Sequence, residues 1–219
     1  MTQDLWLPLA LTAAIEPGTS AGSVIDGVEI AVWRDTAGRI HTWEDRCPHR
    51  GMKLSFGFVR GDHIACLYHG WQYDAAGQCR YIPAHPDVEV PKSICVKTWP
   101  VAEAGGMVWV WLAAGAAPQA PDLPQTTALR SLYLDCPLSR VVTLLQAATP
   151  LGGPARLAGP IAYLPSDAGA LVVGLQSIGP DRCALHITVT GSPTSAQLTS
   201  LTHKAEALRR FAEAMEAAA

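Results

Sequence analysis

Between Ser23 and Leu112 apolar and aromatic residues fall in short runs broken by turn signals, the pattern of short strands. Val28-Glu-Ile-Ala-Val-Trp33, Arg39-Ile-His-Thr-Trp43, Ile64-Ala-Cys66, Trp71-Gln-Tyr73 and Met107-Val-Trp-Val-Trp111 are predicted strands. Asp26-Gly27, Ala37-Gly38, Gly61-Asp62 and Ala76-Gly77 are the turn signals between them. That stretch reads as all-β. From residue 113 to residue 128 the chain is rich in Ala and Pro without periodicity, the signature of a linker or extended crossing segment. Strands are predicted again at Ser131–Cys136, Pro160–Leu164, Leu171–Ser177 and Cys183–Thr190, followed by one long helix. Ser192 suits its N-cap and Pro193 its first position, and Leu198, Leu201, Ala205, Leu208, Phe211 and Met215 recur at helical spacing. The expected organisation is an all-β domain over 1–112, a linker over 113–128, and a small α+β domain over 129–219 made of antiparallel strands plus the helix.

Composition narrows what such a chain does. With 219 residues, 49% of them hydrophobic, it buries a core without help from disulfides. A net charge of −3 gives no electrostatic footprint for nucleic acid or an anionic membrane. The N-terminal stretch lacks a basic region and is interrupted by Asp4, Pro8 and Glu16, so no signal peptide is read. No apolar run reaches membrane-spanning length, and the expected compartment is the cytoplasm. There, six cysteines are expected to be ligands or buried thiols. Cys79, Cys95, Cys136 and Cys183, scattered singly, read as small core residues.

Cys47 and Cys66 differ. Cys47-Pro-His49-Arg50-Gly51 and Cys66-Leu-Tyr-His69-Gly70-Trp71 each offer a thiolate and an imidazole close in sequence, with a glycine for tight turning. Ligand identity alone leaves structural zinc open. Zinc fingers usually group Cys with Cys and His with His, whereas both loops here are mixed, as suits a two-iron centre with thiolates on one iron and imidazoles on the other. The candidate metal and cluster ligands are therefore Cys47, His49, Cys66 and His69.

The surrounding residues extend the pattern. Thr42-Trp-Glu-Asp-Arg-Cys-Pro-His-Arg-Gly51, Leu54-Ser-Phe-Gly-Phe-Val-Arg-Gly-Asp62, Cys66-Leu-Tyr-His-Gly-Trp-Gln-Tyr-Asp74 and Ile82-Pro-Ala84 resemble the Rieske domain of Rieske non-haem iron oxygenases and their ferredoxins. The resemblance implies one [2Fe–2S] cluster per chain, with Cys47 and Cys66 on a buried iron and His49 and His69 on an outer iron facing a partner. High-potential respiratory Rieske proteins add a disulfide between the two loops; the matching positions here are Met52 and Tyr68, and the serine that hydrogen-bonds their cluster is matched by Trp71, with a hydroxyl remaining at Tyr73. The resemblance thus implies a potential at the low end of the Rieske span of roughly −150 to +300 mV.

Complete oxygenase α subunits carry a larger helix-grip domain whose mononuclear iron is held by two histidines and a carboxylate. No Asp/Glu-x2-His-x4-His arrangement follows Leu112, where the histidines are His186 and His203. The second half resembles a shortened helix-grip remnant. The function expected is one-electron transfer through a Rieske [2Fe–2S] cluster in an oxygenase-like system, with a reductase or ferredoxin as donor and, as further partner, a catalytic oxygenase component or further copies of the chain in a homo-oligomer. Two alternatives stand beside it: a compact oxygenase that hydroxylates or demethylates a small substrate at an unusual iron held by His186, His203 and Glu206, and a regulatory or assembly subunit. His41, His63 and His85 read as structural, on a strand, in a turn and in a loop. The strand tryptophans read as core. Arg50 and Lys53, beside the first ligand loop, could steer an acidic donor.

Overall fold

The strands in chain order begin with β1 (Leu7–Leu11), β2 (Ser20–Ile25), β3 (Val28–Arg34), β4 (Ile40–Glu44), β5 (Phe58–Arg60) and β6 (His63–Ala65). There follow β7 (Gln72–Asp74), β8 (Cys79–Tyr81), β9 (Thr98–Trp99), β10 (Val101–Ala104) and β11 (Met107–Val110). The remainder is β12 (Thr126–Leu134), α1 (Leu138–Leu145), β13 (Arg156–Ala158), β14 (Ile161–Leu164), β15 (Leu171–Gly179), β16 (Arg182–Thr190) and α2 (Ser195–Ala214). This computed structural model describes residues 5–214.

The chain divides into two units. One contains residues 14–24 and 28–102; of the described residues the other contains 5–13, Ile25–Gly27 and 103–214. Residues 5–13 and 103–112, assigned from the sequence to the first domain, thus group with the second unit. The reason is pairing across long sequence separation: β1 lies antiparallel to β11, with Leu7 opposite Val110 and Leu11 opposite Met107.

The first unit is all-β, with sheets ordered β2-β3-β4-β9 and β5-β6-β7-β8. Trp33 and Trp43, on paired β3 and β4, meet edge-to-face at 4.8 Å and are fully buried with Leu54, Ile64 and Tyr73. In the smaller sheet Val59, Ile64 and Tyr73 occupy the rows that turn inward, and Phe58, opposite Ala65 on the other face, is exposed. Both ligand loops leave strand ends: one follows β4, and the other joins β6 to β7. His63, expected in a turn, is the first residue of β6.

The second unit is α+β. Its antiparallel sheet has the order β12-β16-β15-β14-β13. Leu171, Val173 and Leu175 of β15 and Cys183, Leu185, Ile187 and Val189 of β16 form one core with Leu201, Ala205, Leu208 and Ala212 of α2. Their alternation leaves Val172, Gly174, Gln176, Ala184, His186 and Thr188 on the opposite sheet face. A Cβ on Gly174 would stand 2.7 Å from the Met107 sulfur and 2.8 Å from Pro8 Cβ, so the close approach of β1 and β11 requires glycine there.

Three expectations are corrected. The linker ends early, because Thr126–Ala128 already belong to β12, with Thr126 opposite Thr190; half-buried throughout, they carry no alternation that composition reveals. The long helix begins at Ser195 with Thr194 rather than Ser192 as its cap. Thr194 Oγ1 accepts from Gln197 N at 3.3 Å and Gln197 Oε1 accepts from Thr194 N at 2.8 Å, a reciprocal capping box. Of the residues expected on its apolar face, Leu201, Ala205 and Leu208 are buried, Phe211 is exposed, and Met215 lies outside the described residues. Helix α1 is an addition: Pro137 and the β-branched Val141, Val142 and Thr143 read against a helix, yet Val141 and Leu145, four apart, anchor it in the core. Among the described residues no helix is long and apolar enough to cross a membrane.

Candidate metal centre

The two ligand loops share one backbone construction. Cys47 N donates to Met52 O and Gly51 N donates back to Cys47 O, both at 2.8 Å. Cys66 N donates to Trp71 O at 2.8 Å and Gly70 N to Cys66 O at 2.9 Å. Each cysteine therefore bonds to the fifth residue after it and receives a bond from the glycine at the fourth. Gly51 and Gly70 sit at φ +73° and +71°, the left-handed region that lets the chain close so tightly.

That closure aims backbone N–H groups at sulfur. His49 and Arg50 donate to the Cys47 sulfur, and Tyr68 and His69 to the Cys66 sulfur, the second and third residues after the cysteine in each case. The two thiols are hydrogen-bonded to each other. A bond from Cys66 is the largest influence on Cys47, and with Tyr73 and the loop amides it outweighs burial and brings the Cys47 thiol down to about 5. Cys66 moves upward, because the same bond and its burial keep its proton. Tyr73 Oη lies 3.1 Å from Cys47 Sγ. Burial and that contact raise the phenol, so Tyr73 keeps its proton and donates it to the sulfur.

The sulfurs lie deep and the imidazoles outward: Cys47 and Cys66 are 2% and 3% exposed, His49 is half-buried and His69 is exposed. The two imidazole rings stand 4.7 Å apart, centroid to centroid. Trp71 stacks on His49 at 4.2 Å with 5° between the planes, and Tyr68 packs on His69 at 3.9 Å. The structure thus brings Cys47, His49, Cys66 and His69 to one place. A cradle of amide donors around two buried thiols suits anionic sulfur, and two surface imidazoles complete a donor set that fits a mixed-ligand two-iron cluster. The amides and the Trp71 stack were not read from the sequence; the equal four-residue step from each cysteine to its glycine is the signal that could have found the shared loop.

Other candidates fall elsewhere. His186 is fully buried on the sheet face away from α2, with Nδ1 2.8 Å from Ser131 Oγ and Nε2 2.7 Å from Gln176 Oε1. His203 is exposed on α2, and Glu206 pairs with Arg130 at 2.7 Å and Arg209 at 3.0 Å. The three are not assembled, and among the described residues no three His, Cys, Asp or Glu side chains gather around a single metal position. His41 stacks on Trp33 at 4.3 Å and contacts Asp35; His63 contacts Asp62 and Arg80. Lys53 is paired with Glu29 at 2.6 Å, and Arg50 is exposed. Cys79, Cys136 and Cys183 are buried as expected, but Cys95 is exposed, held at an isolated bridge to Gln78.

Residues 5–100 match the Rieske [2Fe–2S] domain family. The oxidoreductase NdmD of Pseudomonas putida is 36% identical over 151 residues, which is 64% of this chain and 25% of that protein. Protein TIC 55 of Arabidopsis thaliana, a chloroplast protein, is 39% identical over 120 residues, 54% of this chain and 22% of its own. The chain therefore spans about a quarter of the length of these curated relatives. A crystal structure of dicamba monooxygenase superimposes with a TM-score of 0.78 over 98% of this chain and 85% of that one at 18% identity, a likeness of fold.

Proposed function

We propose, from the match of residues 5–100 to the Rieske [2Fe–2S] domain family, that Cys47, His49, Cys66 and His69 hold the cluster and that the chain is the electron-carrying component of a Rieske oxygenase-like system. When bound, the cluster takes up and gives back one electron at a time. The residues do the rest. Cys47 and Cys66 would hold the cluster from its buried side, where the four loop amides and the Tyr73 hydroxyl offset the negative charge on sulfur. His49 and His69 would hold it from the surface side, and the exposed His69 edge would offer a partner a short route. Trp71 and Tyr68, packed on the two imidazoles, fix their orientation. The donor is a reductase or ferredoxin, and the acceptor a catalytic oxygenase partner or another copy of the chain.

The observation that carries this reading is the duplicated loop: two Cys-to-Gly turns of the same hydrogen-bond pattern, each aiming two amides at a buried sulfur. Anaerobically purified protein should be brown and contain about two irons per chain with matching sulfide. Dithionite should produce the rhombic half-spin EPR signal of a mixed-ligand cluster, and Ala at any of the four positions should abolish it. Colourless protein with stoichiometric zinc would sink the ligand assignment, and a third, chelation-resistant iron would sink the carrier reading. With Met52 and Tyr68 where the bridging cysteines would be, voltammetry should give a midpoint below zero, near the lower limit of about −150 mV.

A further inference from the structure

The unit built on the five-stranded sheet contains a cavity of about 250 Å³ that has no part in the cluster reading. Its origin is a strand edge left uncovered. β14 starts at Ile161, opposite Gly174, and Leu175 N donates to Pro160 O just before it, so no ladder of β14 runs along Leu175–Ser177. The gap is walled by Leu7, by Leu138 and Val142 of α1, and by Leu175. Asp26, whose N–H bonds Ser177 O at 3.0 Å, closes one side.

Size and lining restrict what fits. Native cores leave few voids larger than a water molecule, and an apolar cavity of about 150 Å³ stays dry and accepts benzene. Pockets for drug-sized ligands start near 300 Å³. A volume of about 250 Å³ lies between, room for one ring with short substituents. A single buried amide, Gln176, sits in the wall. Its Oε1 accepts from His186 Nε2–H at 2.7 Å while His186 Nδ1 accepts from the Ser131 hydroxyl at 2.8 Å, so its orientation is pinned from behind the wall. Burial keeps His186 neutral and down at about 4, which makes that relay the same throughout the neutral range. Asp26 is the one ionisable residue of the lining, so no cationic side chain there offsets the desolvation of an anion.

We propose that this cavity is a binding site for a neutral, largely apolar small molecule with the bulk of one substituted ring. Open apolar walls forfeit packing contacts, and an occupant of that class restores them without desolvating a charge. Toluene is the probe and benzoate its anionic counterpart, added to the full chain with its cluster and followed by methyl NMR of Leu and Val. Toluene should give saturable shifts at Leu7, Leu138, Val142 and Leu175, and benzoate should bind at least tenfold more weakly. Val142→Trp, and separately Leu138→Trp, should fill the space and weaken toluene at least tenfold with circular dichroism unchanged. Absence of saturable shifts up to the solubility of toluene, shifts centred on other methyls, or unweakened binding to a folded Trp variant would overturn the site. Benzoate binding as tightly as toluene would overturn the ligand class. If neither variant folds, the wild-type shift map decides alone.

Discussion

A single hydroxyl illustrates how a side chain tunes a redox centre. Tyr73 comes from the inward row of β7, and its Oη reaches Cys47 Sγ at 3.1 Å. A donor to sulfur stabilises the reduced, more negative state more than the oxidised one. Tyr73→Phe removes that donor and leaves the ring in the core, so the midpoint should fall. At about 1 kcal/mol for the bond the drop is about 40 mV for a one-electron couple. Film voltammetry that shows no change would mean that the loop amides carry the tuning alone. That Cys47, His49, Cys66 and His69 come together was legible because each Cys and His pair lies close in sequence, in two short segments of similar spacing. The His186 environment was not. A histidine between Leu185 and Ile187 gives no sign that Gln176 and Ser131, ten and fifty-five residues away, are its partners.

At the scale of elements, legibility followed apolar patterning. Strands such as β3, β15 and β16, buried on both faces over most of their length, stand where short runs of apolar and β-branched residues predict them. β12 extends farther than predicted because its first residues are half-buried and its partner strand, not its own pattern, holds them. The helix start was misread because Ser192-Pro193 is as good a cap by composition as Thr194 with Gln197. Geometry chooses the second, since it satisfies two amides at once. Thr194→Ala should therefore cost about 1 kcal/mol, read as a lower urea midpoint at unchanged slope. Ser192→Ala should leave the midpoint where it is, and equal losses from both substitutions would contradict the capping box.

Composition suggested a boundary near residue 113, but long-range pairing places residues 103–112 with the sheet unit. The two units differ in what acid does to them. In the sheet unit, burial holds His186 at about 4, below its ordinary 6.5. Between those values the unfolded chain binds a proton that the fold rejects, so stability falls as pH drops from 6.5 to 4, by about 1.4 kcal/mol per unit and about 3 kcal/mol in all. In the other unit burial alone would raise Asp35, but the Arg39 amide, the Arg39 guanidinium and His41 together bring it to about 2. Its contribution is complete above the ordinary 3.8 and is lost only as pH falls from there toward 2. His41 in that unit is lowered by burial too, but Asp35 opposes the shift. Acid should therefore loosen β15 and β16 before β3 and β4. Amide hydrogen exchange resolved by strand measures it: protection of β15 and β16 should drop between pH 6.5 and 4 while β3 and β4 keep theirs, and His186→Gln should flatten the first change. Simultaneous loss in both units, or earlier loss from β3 and β4, would show that another group governs acid unfolding.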